Sequence, residues 1–221
     1  MIRIVSGFSD QREAMVERQI LGRGITDPNI LEAFRSVPRE EFLAEKYRDL
    51  AYGDHPLPIK AGQTISQPYI VATMISAAEV KPGDIVLEVG AGSGYAAALM
   101  SRIASRVIAI ERQPELVKVA SERMRRLGYD NVEICEGDGT RGWPGEAPFD
   151  AILAAASGSH VPQPWLDQLA HGGRIVMPVG ERDWVQKLVK VTKGPAGNTI
   201  TEDLGAVRFV PLIGEEAWSD E

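Results

Sequence analysis

The chain has 221 residues, 44% of them hydrophobic and 25% charged, which is an ordinary balance for a globular domain with a sizeable core. Its formal net charge of −7 argues against nucleic-acid binding, and no apolar run is long enough to cross a membrane, so we expect neither as a partner. The lone cysteine, Cys135, cannot form an intrachain disulfide, and residues 1–10 lack a signal-peptide core, so we expect a reducing, cytoplasmic setting.

Helices and one irregular loop are predicted for the N-terminal part, residues 1–80. Apolar residues recur at helical spacing over residues 10–24, and Thr26-Asp27-Pro28 places a capping residue before a proline, which favours the start of a second helix. Residues 51–68 lack periodicity and are rich in proline, as is typical of a functional loop. At the end of this loop, Ser66 is predicted to cap a helix over residues 68–78.

Strands and helices alternate in the central part, residues 81–180. Strands are predicted at residues 85–89, 106–111, 132–136, 149–154 and 174–179. Helices are predicted at residues 95–104, 114–127 and 164–169. This alternation predicts an α/β fold with a doubly wound, Rossmann-like, mostly parallel sheet.

The pattern changes in the last part, residues 181–221. Residues 185–192 and 206–210 are predicted strands, with a Gly-Pro-Ala-Gly-Asn turn between them. They predict an antiparallel finish to the sheet. We therefore expect a single domain, 1–221, in which the three parts supply the N-terminal helices and loop, the α/β core and the final strands.

A glycine-rich turn follows the first predicted strand of the core. Gly90, Gly92 and Gly94 stand at alternate positions, and glycine lets a backbone turn tightly and approach a ligand closely. The dinucleotide motif would have a glycine where this chain has Tyr95, and no Lys-Ser or Lys-Thr pair follows as in a P-loop. The turn therefore favours a nucleoside ligand without a pyrophosphate, with S-adenosylmethionine as the main candidate, although such a turn is weak evidence by itself.

Two acidic residues stand at the ends of the next two predicted strands. Glu111 lies about 20 residues after the first glycine, where an acid reaches ribose hydroxyls in doubly wound folds. Asp138, between Gly137 and Gly139, can hold its carboxylate close to an adenine amino group. Each acid alone is also typical of a solvated strand end. Together with the glycine turn, they predict one crevice where the strand order reverses.

A catalytic base is not evident among the histidines. His55, His160 and His171 all fall in predicted loops and show no common arrangement. A carboxylate acceptor would need no base, because it is ionised at neutral pH. We expect no metal ion in the site.

Several motifs are shared with one enzyme family. The most specific is Thr64-Ile65-Ser66-Gln67-Pro68, whereas the glycine motif occurs in many methyltransferases. The others are Gly24-Ile25-Thr26-Asp27-Pro28, Val37-Pro38-Arg39, Leu57-Pro58-Ile59, Leu87-Glu88-Val89-Gly90, Gly137-Asp138-Gly139-Thr140, Ala147-Pro148-Phe149-Asp150, Gly172-Gly173-Arg174 and Phe209-Val210-Pro211-Leu212. On these motifs, nearly the whole chain resembles the protein-L-isoaspartate O-methyltransferases.

The resemblance implies a protein repair enzyme. Such an enzyme moves a methyl group from S-adenosylmethionine to the free carboxylate of L-isoaspartyl residues in damaged proteins and peptides, and releases S-adenosylhomocysteine. The ester closes spontaneously to a succinimide, whose hydrolysis returns some normal aspartate. Isoaspartyl proteins and peptides are the implied partners, while the oligomeric state stays open.

The resemblance also implies roles for individual residues. Ser66 would be the active-site residue that contacts or steers the acceptor carboxylate, and it would bind substrate together with Ile65 and Val210. The implied cofactor residues are those of the loop, of the glycine motif and of the two acidic strand ends: Gln63, Thr64, Ile65, Glu88, Gly90, Gly92, Gly94, Glu111 (ribose), Asp138 (adenine) and Gly139.

Three departures from the family pattern fall on the expected acceptor side: Lys60-Ala61, Ser157-Gly158-Ser159-His160 and Ile213. They leave open a methyltransferase on the same scaffold that acts on a different carboxylate or a small molecule. A binding protein without turnover is a further alternative, against which the presence of Glu111, Asp138 and Ser66 counts. An NAD-linked oxidoreductase is disfavoured by Tyr95.

Overall fold

The computed structural model describes residues 7–182 and 184–219. Residues 1–6, part of the segment 1–10 that was predicted to lack a signal-peptide core, lie outside the described residues. Within these ranges, no helix is both long enough and apolar enough to cross a membrane.

Two helices form the N-terminal layer, as predicted. Helix α1 (Phe8–Met15) continues through a π-helical turn, Val16–Ile20, and a 3-10 turn, Leu21–Arg23. Helix α2 (Pro28–Ser36) begins after Asp27, whose carboxylate accepts hydrogen bonds from the backbone N–H groups of the first turn at 2.8 and 3.3 Å. This contact confirms the predicted capping role of the Thr26-Asp27-Pro28 segment.

A short hairpin lies within the predicted loop. Two 3-10 turns, Arg39–Phe42 and Glu45–Leu50, lead into β1 (Leu57–Pro58), which pairs antiparallel with β2 (Thr64–Ile65). Helix α3 (Pro68–Ala77) follows directly. The hairpin therefore projects from the start of α3, and we call residues 57–67 the acceptor loop.

The main sheet has seven strands. Its strands are β3 (Ile85–Val89), β4 (Arg106–Glu111), β5 (Val132–Glu136), β6 (Phe149–Ala154), β7 (Leu169–Val179), β8 (Gln186–Lys193) and β9 (Thr199–Val207). Helix α4 (Tyr95–Ser101) connects β3 to β4, α5 (Pro114–Leu127) connects β4 to β5 and α6 (Gln163–Gln168) connects β6 to β7, whereas two 3-10 turns link β5 to β6. The order is β5-β4-β3-β6-β7-β8-β9, with β8 and β9 antiparallel to their neighbours, which confirms the predicted mostly parallel sheet with an antiparallel finish.

Several element boundaries differ from the sequence-based prediction, and the two largest differences concern strands. The last strand covers Thr199–Val207 and not residues 206–210, because β9 is an edge strand that is solvent-exposed along nearly its whole length and so shows no apolar alternation. Strand β7 begins at Leu169, where a predicted helix was expected to end, because Leu169 pairs with Phe149 across a register shift. Pairing with a distant strand thus decided both boundaries.

The inner strands of the sheet are buried on both faces. Successive residues of β3 face opposite sides: Val86 packs in the cluster that contains Phe34 of α2, and Leu87 packs in the cluster that contains Trp165 of α6. This arrangement explains the uninterrupted apolar runs of the parallel strands. The N-terminal helices cover one face, where the ring of Tyr95 contacts Phe34 and Phe42 edge-on.

Candidate active site

A cavity of about 810 Å³ opens at the carboxyl ends of β3, β4 and β6. The chain runs outward from β3 to β4 and β5, and then returns to β6 on the other side of β3, so the strand order reverses there. A crevice at this reversal is the usual ligand site of open α/β sheets, and the volume is typical of small-molecule sites. Eight predicted site residues line it: Gln63, Thr64, Ser66, Gly90, Gly92, Glu111, Gly139 and Val210.

The glycine turn forms the floor of the cavity. Gly90 and Gly92 have φ values of +87° and +55°, a region that favours glycine because a Cβ would strain the backbone. The turn is tied to the next strand, since the N–H groups of Gly90 and Ala91 both donate to the Ile110 carbonyl at 2.9 and 3.0 Å. Backbone atoms therefore face the cavity at a fixed position, as close ligand approach requires.

Glu111 is a buried acid held at the cavity wall. Its Oε2 accepts a hydrogen bond from the Gly92 N–H at 2.9 Å, and its Oε1 accepts one from the Gln113 N–H at 2.9 Å. Each carboxylate oxygen still has a lone-pair site for a further donor. The geometry thus offers two oriented acceptors to a diol beside the glycine turn.

Ser66 lines the same cavity from the opposite side, but it does not cap helix α3. The N-cap residue is Gln67, and no side chain caps the helix, so the predicted capping role of Ser66 is wrong. Helix α3 begins at Pro68, as predicted, so the N-cap position falls on Gln67 and Ser66 lies one residue before it. The Ser66 side chain is therefore not committed to the helix end.

A buried arginine holds the backbone of Ser66. Arg39 is fully buried, and its Nε and Nη2 donate to the carbonyls of Ala51 and Ser66 at 2.8 and 2.9 Å. Its guanidinium carbon lies 4.8 Å from the centroid of the Tyr95 ring. Burial lowers the pKa of Arg39, an effect that its contact with Tyr95 opposes. Arg39 thus connects the N-terminal layer to Ser66, which lies in the most specific of the family motifs.

Three other predicted residues support the lining from behind. Ile65 is buried in the core. Gly94 caps α4 in a left-handed conformation, and a Cβ there would lie 2.7 Å from Met124 Cε, so this glycine permits close helix packing. Glu88 is fully buried below the turn, and burial, together with the nearby Glu111, raises its pKa well above the usual range. None of the three is among the lining residues.

Asp138, also absent from the lining, contacts the C-terminal part of the chain. Its Oδ1 accepts hydrogen bonds from Thr140 N–H and Oγ1 at 2.9 and 2.7 Å, and its Oδ2 accepts one from Glu215 N–H at 2.9 Å. Burial raises the pKa of Asp138, but the hydrogen bonds from Glu215 and Thr140 outweigh this effect and the pKa lies below its ordinary value. Its predicted adenine contact stays a prediction.

The acceptor wall is the part of the site that sequence reasoning largely missed. Apart from Val210 and Ile213, residues 206–213 were not predicted to face the acceptor, yet all eight line the cavity. Ser157, one of the departures from the family pattern, fixes this wall: its N–H donates to the Val210 carbonyl and its own carbonyl accepts from Leu212 N–H, both at 2.8 Å. Ile213, another departure, lies in the wall itself.

Two further features complete the surroundings. Lys60 lies at the tip of the acceptor loop and contacts Glu115 of α5 at 3.0 Å, so this departure is exposed at the surface.

The described part of the chain contains no cluster of three His, Cys, Asp or Glu side chains suited to a metal ion. His55, His160 and His171 each contact a neighbouring loop group and lie outside the cavity wall.

Comparison with known proteins agrees with these motifs. The family model of protein-L-isoaspartate(D-aspartate) O-methyltransferases matches residues 10–217. Protein-L-isoaspartate O-methyltransferase 1 of Rhodopseudomonas palustris (strain HaA2) is 54% identical over 214 residues, covering 97% of this chain and 87% of the relative. Such identity over such coverage indicates shared ancestry along the whole domain.

Two solved structures are similar in fold as well as in sequence. A protein-L-isoaspartate O-methyltransferase superposes with a TM-score of 0.85 at 30% identity, covering 93% of this chain and 67% of that chain. A Plasmodium falciparum structure assigned to the same activity, in complex with S-adenosyl-L-homocysteine, has a TM-score of 0.79 at 30% identity and covers 91% of this chain and 98% of that chain.

Proposed function

This chain belongs to the family of protein-L-isoaspartate(D-aspartate) O-methyltransferases, and we propose on that premise that it repairs damaged proteins by methylating L-isoaspartyl carboxylates. The methyl donor is S-adenosylmethionine, and the product is S-adenosylhomocysteine. The ester that forms closes spontaneously to a succinimide, and hydrolysis of the succinimide returns some normal aspartate.

One observation carries this proposal: a single cavity joins the glycine turn and Glu111 to Ser66 and the acceptor wall. Methyl transfer requires the donor and the acceptor to lie in line at close range, so both must bind in one space. The cavity satisfies this requirement, since one side can bind the methyl donor and the other side can bind the acceptor within the same space.

The cofactor side fits a nucleoside. Glu111 would accept hydrogen bonds from the ribose diol, and the exposed backbone of Gly90 and Gly92 would allow close approach. Gln63 and Thr64 would face the methionine part. When bound, S-adenosylmethionine supplies an activated methyl group, because the bond between the methyl carbon and the sulfonium sulfur breaks with its electron pair remaining on sulfur.

The acceptor side needs orientation and no base. The isoaspartyl carboxylate is ionised at neutral pH, so its oxygen can attack without proton removal. The Ser66 hydroxyl would donate a hydrogen bond to this carboxylate and turn one oxygen towards the methyl group. Arg39 holds the Ser66 backbone, and the apolar side chains of Ile70 and Val210 reduce access of water.

We also place the protein in the cytoplasm, with neither nucleic acid nor membrane as a partner. The sole cysteine of the chain, Cys135, is a buried free thiol, and burial raises its pKa to about 11, which keeps it unreactive. The net charge of −7 disfavours binding to phosphate backbones.

The test is methyl transfer from labelled S-adenosylmethionine to two peptides that differ only in one isoaspartyl or aspartyl linkage. We expect base-labile label in the isoaspartyl peptide alone. Ser66→Ala should lower kcat by about tenfold or more, since it removes the group that orients the acceptor, and should leave S-adenosylhomocysteine affinity unchanged. Ser121→Ala is the matched control, because Ser121 lies on α5 and is not among the residues that line the cavity.

A second candidate function is methylation of a different carboxylate or of a small molecule on the same scaffold. The observation that favours it is the position of Ile213 and Ser157, two departures from the family pattern, in and behind the acceptor wall. Label in neither peptide, with S-adenosylhomocysteine binding confirmed by calorimetry, would replace the first function with this one.

A further inference from the structure

We propose that Arg208 selects isoaspartyl peptides that carry an acidic residue next to the isoaspartate. This proposal rests on the proposed function and extends it to the charge of the substrate. The ligand group is a carboxylate of a neighbouring aspartate or glutamate, bound by the guanidinium at the mouth of the cavity.

Arg208 is rigidly mounted on the acceptor wall. It follows β9 directly and lines the cavity. The next residue, Phe209, donates its N–H to Oε1 of the buried Gln186 at 2.9 Å. The carbonyl of Val210 is held by Ser157 N–H at 2.8 Å. The backbone before Arg208 is fixed by the pairing of Val207 with Gln186 in the sheet, and the backbone after it is fixed by these two hydrogen bonds. The Cα of Arg208 therefore has little freedom to move.

The guanidinium of Arg208 is available to a ligand. Within residues 7–182 and 184–219 it makes no hydrogen bond or ion pair, whereas other arginines, such as Arg23, Arg106 and Arg126, bind carboxylates. Glu111 is the one carboxylate among the described lining residues, and both of its oxygens already accept backbone hydrogen bonds. An uncompensated cation is therefore retained at the mouth of a site in an acidic protein.

The surroundings of Arg208 favour a peptide as the occupant. Val185 and Val210 line the same mouth and are 55% and 36% exposed, so a bound chain would cover apolar surface there. Covering this surface removes water from around the guanidinium, which strengthens its attraction to an anion. Arginine is suited to the role because its planar fork binds a carboxylate through two parallel hydrogen bonds.

A neighbouring carboxylate is a better ligand for Arg208 than the reacting one. A guanidinium paired with the reacting carboxylate would stabilise its charge in the ground state more than in the transition state, where that charge is being neutralised. Such pairing would slow the transfer. The reacting carboxylate is instead assigned to the neutral hydroxyl of Ser66, which leaves Arg208 for a second acidic group.

The experiment compares three isoaspartyl peptides: one with glutamine on both sides of the isoaspartate, one with glutamate before it and one with glutamate after it. In Arg208→Gln, we expect KM for at least one glutamate peptide to rise by about three- to tenfold, as loss of a charge-assisted contact predicts. The KM for the glutamine peptide should rise less than the KM for that glutamate peptide, so that the ratio of the two constants changes. Arg208→Glu should raise KM for the same glutamate peptide further, because it replaces attraction with repulsion.

Lys187→Gln provides the matched control, because Lys187 is an exposed cation of β8 that pairs with Asp203 and does not line the cavity. Equal changes for acidic and neutral peptides in Arg208→Gln, or no change at all, would overturn the proposal while the proposed function stands. Failure of the wild-type protein to methylate any of the three peptides would overturn the proposed function, and the charge selection with it.

Discussion

Arg39 shows how a single buried residue can position the active site. A buried guanidinium is costly unless its donors are satisfied, and Arg39 offsets part of this cost because its Nε and Nη2 bind the carbonyls of Ala51 and Ser66. Its Nη1 is buried and has no hydrogen-bond partner among the described residues. Its contact with Tyr95 adds a cation–π interaction in the core. Because one of its two carbonyl partners belongs to Ser66, Arg39 acts on the reaction through the position of that residue.

We expect Arg39→Met to lower kcat by about 10- to 100-fold, because a small displacement of the orienting hydroxyl spoils alignment. The S-adenosylhomocysteine affinity should change little, and Arg39→Lys should restore part of kcat, because an ammonium group can still donate to a carbonyl. Arg35→Met is the control, since Arg35 pairs with Glu13 and Glu17 at the surface of the same layer.

Steady-state kinetics with the isoaspartyl peptide, together with calorimetry, separates these effects. Wild-type kcat in a folded Arg39→Met protein would exclude the positioning role.

At the scale of elements, residues 213–218, which we call the C-terminal turn, connect the two sides of the cavity. Asp138 accepts from the Glu215 N–H, and Thr140 Oγ1 accepts from the Glu216 N–H at 3.2 Å. On the acceptor side, Trp218 Nε1 donates to the Ser157 carbonyl at 3.1 Å. The turn therefore fastens the loop after β5 to the acceptor wall.

Asp138→Asn should loosen this turn, because an amide has a single acceptor oxygen for the two sets of donors that Asp138 now serves. We expect faster hydrogen exchange in residues 213–218, a higher KM for the isoaspartyl peptide and a loss of stability of about 1–3 kcal/mol. Since the folded-state pKa of Asp138 is lowered, this stabilisation is present above the ordinary aspartate pKa and is lost as the pH falls through the folded value.

Asp203→Asn, which changes an exposed acid on β9, is the control for these measurements. Weaker S-adenosylhomocysteine binding with unchanged exchange in the turn would show that Asp138 serves adenine alone.

At the scale of the whole molecule, we propose that residues 1–221 form one cooperative domain. One apolar cluster runs from Met15 of α1 to Leu188 of β8 and includes Val86 of the central strand. The second cluster, on the opposite face, contains Leu87 and Trp165. Because the same strands supply both clusters, neither layer can separate without exposing the sheet.

We expect a single unfolding transition in urea that two probes report with the same midpoint. The variant to use keeps Trp165 and has Trp184 and the other tryptophans replaced by phenylalanine. Fluorescence of the buried Trp165 then reports one face of the sheet, and near-UV dichroism of tyrosines such as Tyr95 reports the other face. Coincident midpoints indicate one unit. Separate midpoints would instead divide the N-terminal layer from the core.

Local signals were sufficient for the elements that hold the cofactor side. Strands β3 to β6 were predicted with the bounds that the structure shows. The inner strands β3, β4 and β6 are mainly apolar runs because they are buried on both faces, whereas the edge strand β5 is only partly buried. The glycine turn follows β3 directly, and Glu111 is the last residue of β4. Because both stand at the carboxyl ends of neighbouring parallel strands, it was predictable that they meet in one cavity. The order of the last two strands was not, since exposed β9 carries no pattern.

The sequence by itself therefore determined the sheet, the cofactor turn and, through family motifs, the importance of Ser66. The tertiary structure alone decided that Ser66 is released from the helix cap, that Arg39 holds its backbone and that residues 206–213 form the acceptor wall. The physical reason is the range of the interactions. Periodicity and turn chemistry act between neighbours in the chain, whereas Arg39 and Ser66, or Ser157 and Val210, meet only after the sheet has brought distant segments together.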